Sequence, residues 1–426
     1  MIHYKRFSLF LSCVALSLFL ALQPQSCLAD FEEPRTLQAA SILEPSILKG
    51  KHHTVDSVVK NDGMFNHYSI ISTFGDFKAN STTGLKTVIH EIGAIAAMKE
   101  VEVDDTALES LKQSGSKTVT GLKNLFTKPQ ETLEGAASGV SSLFHRAKET
   151  VGSRKTTGGE DSRVEQIIGL SKSKGLIASK FGVNMYSHNE ALQEELDRLA
   201  RADYVGGLGI SVATSFVPVG GLILGTSNTA RLLEEAINTT PASELWLRNK
   251  EKLLAMGMNE GMVELFLNNP SYSPALETFL VAALEKMDGV KEKDLFIMVA
   301  LQANDHDMAK TITEIAVMSA GYHKHVAPLA TFAPMARLTC GIKKDGSVVV
   351  LLPADHIIWS TKVAGVAGEL TEKSGKGDGA GTELWVLGDF SKQAESELKN
   401  LGWQLHPKSY RKLVPKEREI NNLNKN

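Results

Sequence analysis

Cysteine is nearly absent from these 426 residues: there are 3, at Cys13, Cys27 and Cys340. Aromatic side chains are also scarce, at 6%, which argues against a stacking surface for nucleobases or sugars. No sign of charge dominates. The 46 Lys and Arg nearly balance 49 Asp and Glu, for a formal net charge of −3. There is no long basic block, so no nucleic-acid partner is expected. What is present is apolar material, 42% of residues, enough for real cores and too much for wholesale disorder. A chain of this length is expected to divide into two or three folded units.

The first 29 residues read as an export signal. Lys5 and Arg6 give a short positive segment, and an apolar run follows from Phe7 to Leu22. Pro24 ends that run, and Cys27 and Ala29 place small side chains at the two positions a signal peptidase reads. Cleavage is expected after Ala29, with export to a bacterial periplasm. Losing Lys5 and Arg6 takes the charge from −3 to −5. Losing Cys13 and Cys27 leaves Cys340 alone, so no internal disulfide can form and the cores must hold the fold.

The mature chain reads as a mainly helical α+β protein: a small N-terminal antiparallel sheet plus helix, a central helical bundle and a small C-terminal α+β unit. Residues 30–112 form the first unit. Thr54–Val59, Phe65–Thr73 and Phe77–Ala79 alternate like strands, joined by turns at Asn61-Asp62-Gly63 and Phe74-Gly75-Asp76. His67, Ser69 and Ile71 fall on one face, and Phe65, Tyr68 and Ile70 fall on or near the other. Leu85, Val88, Ile89, Ile92 and Ile95 then recur at helical spacing. Residues 113–163 carry amphipathic stretches, the second from Leu133 to Ala147, and a polar linker over 148–163. Residues 164–330 are helical, with segments at 189–202, 243–257, 260–267, 274–287 and 293–321. Residues 204–230 contain no charged side chain. They read as two short buried helices broken at Pro218, or as a segment at the lipid. Residues 331–407 read β-β-α-β-α-β, opening with a hairpin at Lys343–Gly346, and 408–426 read as a frayed polar tail.

Several of these segments resemble a family of uncharacterised exported proteins of Gram-negative bacteria. They are His53-Thr54-Val55-Asp56, Asn61-Asp62-Gly63, Phe74-Gly75-Asp76-Phe77, Glu91-Ile92, Gly182 to Ser187, Met256-Gly257-Met258 and Glu383 to Gly388. The resemblance implies a bacterial envelope setting and brings no activity or catalytic residue with it.

Candidate chemistry is sparse. His323-Lys324-His325 could supply two imidazoles to a metal, or could be cations at a helix end. Asp305-His306-Asp307 could add oxygen ligands. Asp355, His356 and Trp359 follow the C-terminal hairpin and could line a binding groove, or simply lead into the next helix. His90-Glu91 lacks the second His of a zinc-protease helix. His52-His53 at a strand start is expected in solvent. Cys340 reads as a small buried hydrophobe, since no base accompanies it. No Gly-x-Ser-x-Gly elbow and no phosphate loop occurs. No cofactor is expected. The leading expectation is a non-enzymatic envelope protein that binds or scaffolds an envelope partner or ligand. Two alternatives stay open: a membrane-associated protein using residues 133–147 and 204–230 at the membrane surface, and a hydrolase with a metal or thiol site.

Overall fold

The computed structural model describes residues 31–102, 158–206, 228–336, 338–374 and 381–414. The signal segment, the amphipathic stretch 133–147 and nearly all of 204–230 lie outside the described residues.

The N-terminal unit opens with β1 (Thr36–Gln38), α1 (Ala39–Ile42) and α2 (Pro45–Leu48). It continues through β2 (His53–Val55), β3 (Val58–Asn61), β4 (Asn66–Ser72) and β5 (Gly75–Ala79) to α3 (Thr82–Lys99). The sheet is antiparallel, with order β1-β3-β4-β2, and β5 also pairs with β4. Tyr68 and Ile70 are buried, whereas Ile71 between them and solvent is 61% exposed, as the period-two pattern requires. The expected strand Thr54–Val59 is instead two. Asp56 turns the chain by accepting a hydrogen bond from Val58 N at 3.1 Å, so β2 pairs only with β4 while β3 also reaches β1. The second turn falls at Thr73-Phe74, one residue early, because Ser72 pairs with Gly75. His53 is buried rather than solvated, and its Nε2 donates to the Ile47 carbonyl at 3.0 Å.

α3 starts cleanly because the Ser81 hydroxyl accepts from Gly84 N at 2.9 Å. It serves two cores. Leu85, Ile89 and Ile92 pack into the N-terminal unit. Ala94, Ile95 and Met98 pack into the central block.

The central block comprises α4 (Gly158–Lys180), α5 (Glu190–Gly206), α6 (Asn228–Thr239), α7 (Ala242–Ala255), α8 (Glu260–Leu267), α9 (Pro274–Glu285), α10 (Asp294–Ala300) and α11 (His306–His325). α4 begins at Gly158, so helix replaces the end of the expected linker. The expected continuous stretch 293–321 is broken, because Asp305 accepts from Met308 N at 2.7 Å and starts a new helix. α9 is buried at every position from Ala275 to Leu284, which makes it the axis of the block. It packs against α7 and α11.

The C-terminal unit runs β6 (Leu329–Met335), β7 (Leu338–Lys343), β8 (Val348–Leu352), β9 (His356–Ile357), α12 (Thr361–Lys373), β10 (Thr382–Val386), β11 (Asp389–Phe390), α13 (Lys392–Asn400), β12 (Trp403–His406) and α14 (Tyr410–Leu413). The sheet order is β12-β10-β8-β7-β6. β8, β10 and β12 are mutually parallel, with α12 and α13 as the crossovers. β6 is an addition to the sequence reading, and it places the start of the sheet at Leu329, inside the expected helical region. The sheet is covered on both sides. Val349, Leu351 and Trp385 face the helical block, while Val348, Val350, Leu384 and Val386 face α12 and α13. That double burial is why β8 reads as an unbroken apolar run, Val348 to Leu352. The tail expected to fray at 408 instead continues into α14, which packs on α11 with Leu413 buried.

Candidate functional site

The structure brings polar groups from all three units into one seam around the first half of α3. Its outer end is the hairpin turn at Asn61-Asp62-Gly63, where Gly63 takes φ +106°. This turn docks on the loop that precedes α12. Asp355 N and His356 N donate to the Met64 carbonyl at 2.9 and 3.1 Å, and Ile358 N donates to the Gly63 carbonyl at 3.1 Å. The Asn61 amide donates to the His356 carbonyl at 3.3 Å.

Asp355 therefore occupies a junction. Its carboxylate accepts from Asn66 N at 3.0 Å and from Thr82 N at 3.0 and 3.1 Å. Thr82 is the first residue of α3, so the carboxylate sits where the helix dipole favours an anion. Burial nonetheless pushes its pKa up, against the pull of the Asn66 and Thr82 hydrogen bonds. Trp359 is buried in the C-terminal core, and its backbone N donates to the Glu32 carboxylate at 2.7 Å. Ser391 donates to the same carboxylate. His356 lies in β9, half-buried, and burial holds it below the usual imidazole range. These three residues form a staple between units rather than an open groove.

Deeper in the seam lie two carboxylates, Glu91 on α3, weighed in the sequence only against a zinc-protease helix, and Glu314 on α11, which the sequence reading did not single out. Glu91 is 6% exposed and Glu314, on α11, is 3% exposed. Glu91 accepts from Ser187 Oγ at 2.6 Å and from Asn189 Nδ2 at 3.0 Å. Asn189 at the same time caps α5, its Oδ1 accepting from Leu192 N at 3.2 Å. Glu314 is held at 3.5 Å by the Thr83 hydroxyl. Lys310, one turn before Glu314, interacts with both carboxylates. Its Nζ lies beside Gly84, 3.4 Å from where a Cβ would stand. Burial raises the pKa of Glu91, and the Ser187, Asn189 and Lys310 contacts only moderate this. Burial likewise pushes Glu314 to about 7, with Lys310 opposing and Asp355 reinforcing the rise. For Glu314 that rise is roughly 3 kcal/mol against the ionised form. Glu234 on α6 is also pushed to about 7, by burial and then by the Glu91 carboxylate.

Imidazoles flank the seam. His188 and His306 stack with centroids 3.8 Å apart. Burial lowers both, and with His188 and Lys310 nearby His306 falls to about 4. His67 bridges Asp62 and Asn80 at 3.0 Å each, and Asn80 donates onward to Asp307 at 2.6 Å. Burial would lower His67, but those two hydrogen bonds raise it.

The other sequence candidates lie elsewhere. His323 accepts from Leu329 N at 3.1 Å through Nδ1, holding the passage from α11 into β6. His325 is exposed at the end of α11. Two residues apart on a helix, the two rings leave on different sides. Among the described residues no group of three or more His, Cys, Asp or Glu could hold a metal ion. Cys340 is fully buried in β7, and burial pushes its thiol up to about 12.

Comparison with protein-family models, with curated proteins and with solved structures finds no match to this chain. The geometry therefore has to speak for itself. The signal that could have revealed the seam was a charge inside an apolar stripe: Glu91 lies between Ile89 and Ile92, and Glu314 lies among Ile312, Thr313 and Ala316.

Proposed function

We propose that this is an exported bacterial envelope protein that acts by binding or scaffolding rather than by catalysis. The observation that carries the binding reading is the way its candidate groups are spent. Asp355 ties the C-terminal loop to β4 and α3. Glu91 ties α3 to the start of α5. Lys99 and Arg198 share Glu195 at 2.7 and 2.8 Å, and Arg198 also donates to the Met98 carbonyl at the end of α3. Side chains used this way make a preorganised frame, which lowers the ordering cost of binding a partner. Export rests on the N-terminal segment, with its basic start, apolar run and small residues at Cys27 and Ala29.

Fractionation of the native host with a carbonate wash, followed by intact mass, tests the reading. A soluble envelope protein beginning at Asp30 is expected. Retention in the washed membrane would favour the alternative in which residues 133–147 and 204–230 meet lipid. Recovery of the uncleaved chain from the cytosol would overturn export. Among the described residues no helix is long and apolar enough to cross a membrane.

A further inference from the structure

We propose that the junction of α3, α11 and the C-terminal unit is a proton-operated latch: a proton held on Glu314 keeps the three units locked, and its release to water loosens the docking of Asp355 on the start of α3. The inference stands on this junction alone and does not depend on where the protein resides or what it binds.

Charge counting is the first argument. Glu91, Glu314 and Asp355 come from three different segments and meet one seam, where Lys310 offsets Glu91 and Glu314 and Asp355 faces the further carboxylate of Asp62. Three carboxylates against one ammonium leave the ionised seam two charges negative. Buried charges are poorly screened by salt, so the excess is relieved by binding protons.

The surrounding groups do not repair the imbalance. From the start of α5 comes His188 and from α11 His306, both held below the usual imidazole range by burial and thus neutral above pH 7. His90 on α3 and His356 beside Asp355 are lowered by burial in the same way. From the N-terminal sheet, Asp62 faces Asp355 and is bridged by His67, whose protonated form Asp62 and Asn80 favour. Asp307 on α11 and Glu234 on α6 add further negative charge.

Position is the second argument. Glu314 and Asp355 feel each other directly, and they hold successive residues at the start of α3. Asp355 takes the Thr82 amide, and Glu314 takes the Thr83 hydroxyl. Ionising Glu314 therefore adds repulsion at the point where the C-terminal unit is attached. Glu314 and Glu91 favour the locked form when protonated. For Glu314 the contribution is complete below the ordinary carboxylate range and is lost as pH rises through about 7; for Glu91 the direction is the same.

Amide hydrogen exchange at Asn66 and Thr82 in the full chain, corrected for intrinsic rates, tests the latch. The opening constant is expected to rise by up to about tenfold per pH unit between about pH 5 and pH 7 for the proton released, and to level off above that. Glu314→Gln should flatten that slope. Lys310→Met should carry the rise to higher pH before it levels off, because Glu314 loses its cation. Protection that stays constant or improves with pH, or an undiminished slope in Glu314→Gln, would overturn the proposal. If Glu314→Gln does not fold, carboxyl carbon NMR of the wild-type chain decides. A buried Glu still protonated at about pH 6 supports the latch, and titration of every Glu below about pH 5 refutes it.

Discussion

Asp355 accepts three hydrogen bonds from two backbone amides that belong to different elements. Removing it leaves Asn66 N–H and Thr82 N–H without an acceptor in a place water reaches poorly, which costs more than the bonds themselves contribute. Asp355→Ala is expected to lose about 2–4 kcal/mol in urea unfolding, and Asp355→Asn less, because the amide oxygen still accepts. Cys340 makes the opposite prediction. Fully buried and with its thiol pushed up to about 12, it should resist alkylation in the native protein at mildly alkaline pH. Peptide mapping should find it labelled only after denaturation. Rapid native labelling would return the thiol to the list of reactive groups.

Glycines test how the elements meet. At Gly321 in α11 an added Cβ would stand 2.4 Å from the Leu413 carbonyl oxygen of α14. At Gly365 in α12 it would meet nothing within 4 Å. Ala has the better helix propensity at both sites, so the two substitutions should differ in sign. Gly321→Ala is expected to destabilise by about 1–3 kcal/mol through displacement of α14. Gly365→Ala is expected to stabilise by roughly 0.5–1 kcal/mol. Thermal melts of the two variants check both. Much of this level was legible in the sequence. The Ser360 and Ser391 hydroxyls cap α12 and α13, accepting from Val363 N and Ala394 N. α8 spans the expected Glu260–Leu267. β6 was missed because the exposed Pro334 and the half-buried residues around it blur its alternation, and its strand character comes from pairing with β7.

At the scale of the whole molecule, the central core crosses the boundaries the sequence suggested. It includes Ala94, Ile95 and Met98 from α3 and Val349, Leu351, Trp385 and Leu413 from the C-terminal unit. Units that share a core should unfold together. Of the 4 tryptophans, Trp359, Trp385 and Trp403 belong to the C-terminal unit and Trp246 to α7. Fluorescence thus reports mainly the C-terminal unit, while the far-ultraviolet dichroism reports the helices. Coincident denaturation curves are expected, and separated midpoints would show independent units.

The sequence by itself determined the class of the fold and most element identities, because period, caps and turn residues act within a few residues of one another. It placed Tyr68 and Ile70 on a common strand face and read Cys340 as a small buried hydrophobe. Tertiary structure alone decided what the charged residues are for. Glu91 and Ser187 lie 96 positions apart, and Asp355 and Thr82 lie 273 apart, so nothing local marks them as partners. The cost of burying a carboxylate is set by the dielectric and the neighbours it meets, and both exist only once the helices and the sheet have packed.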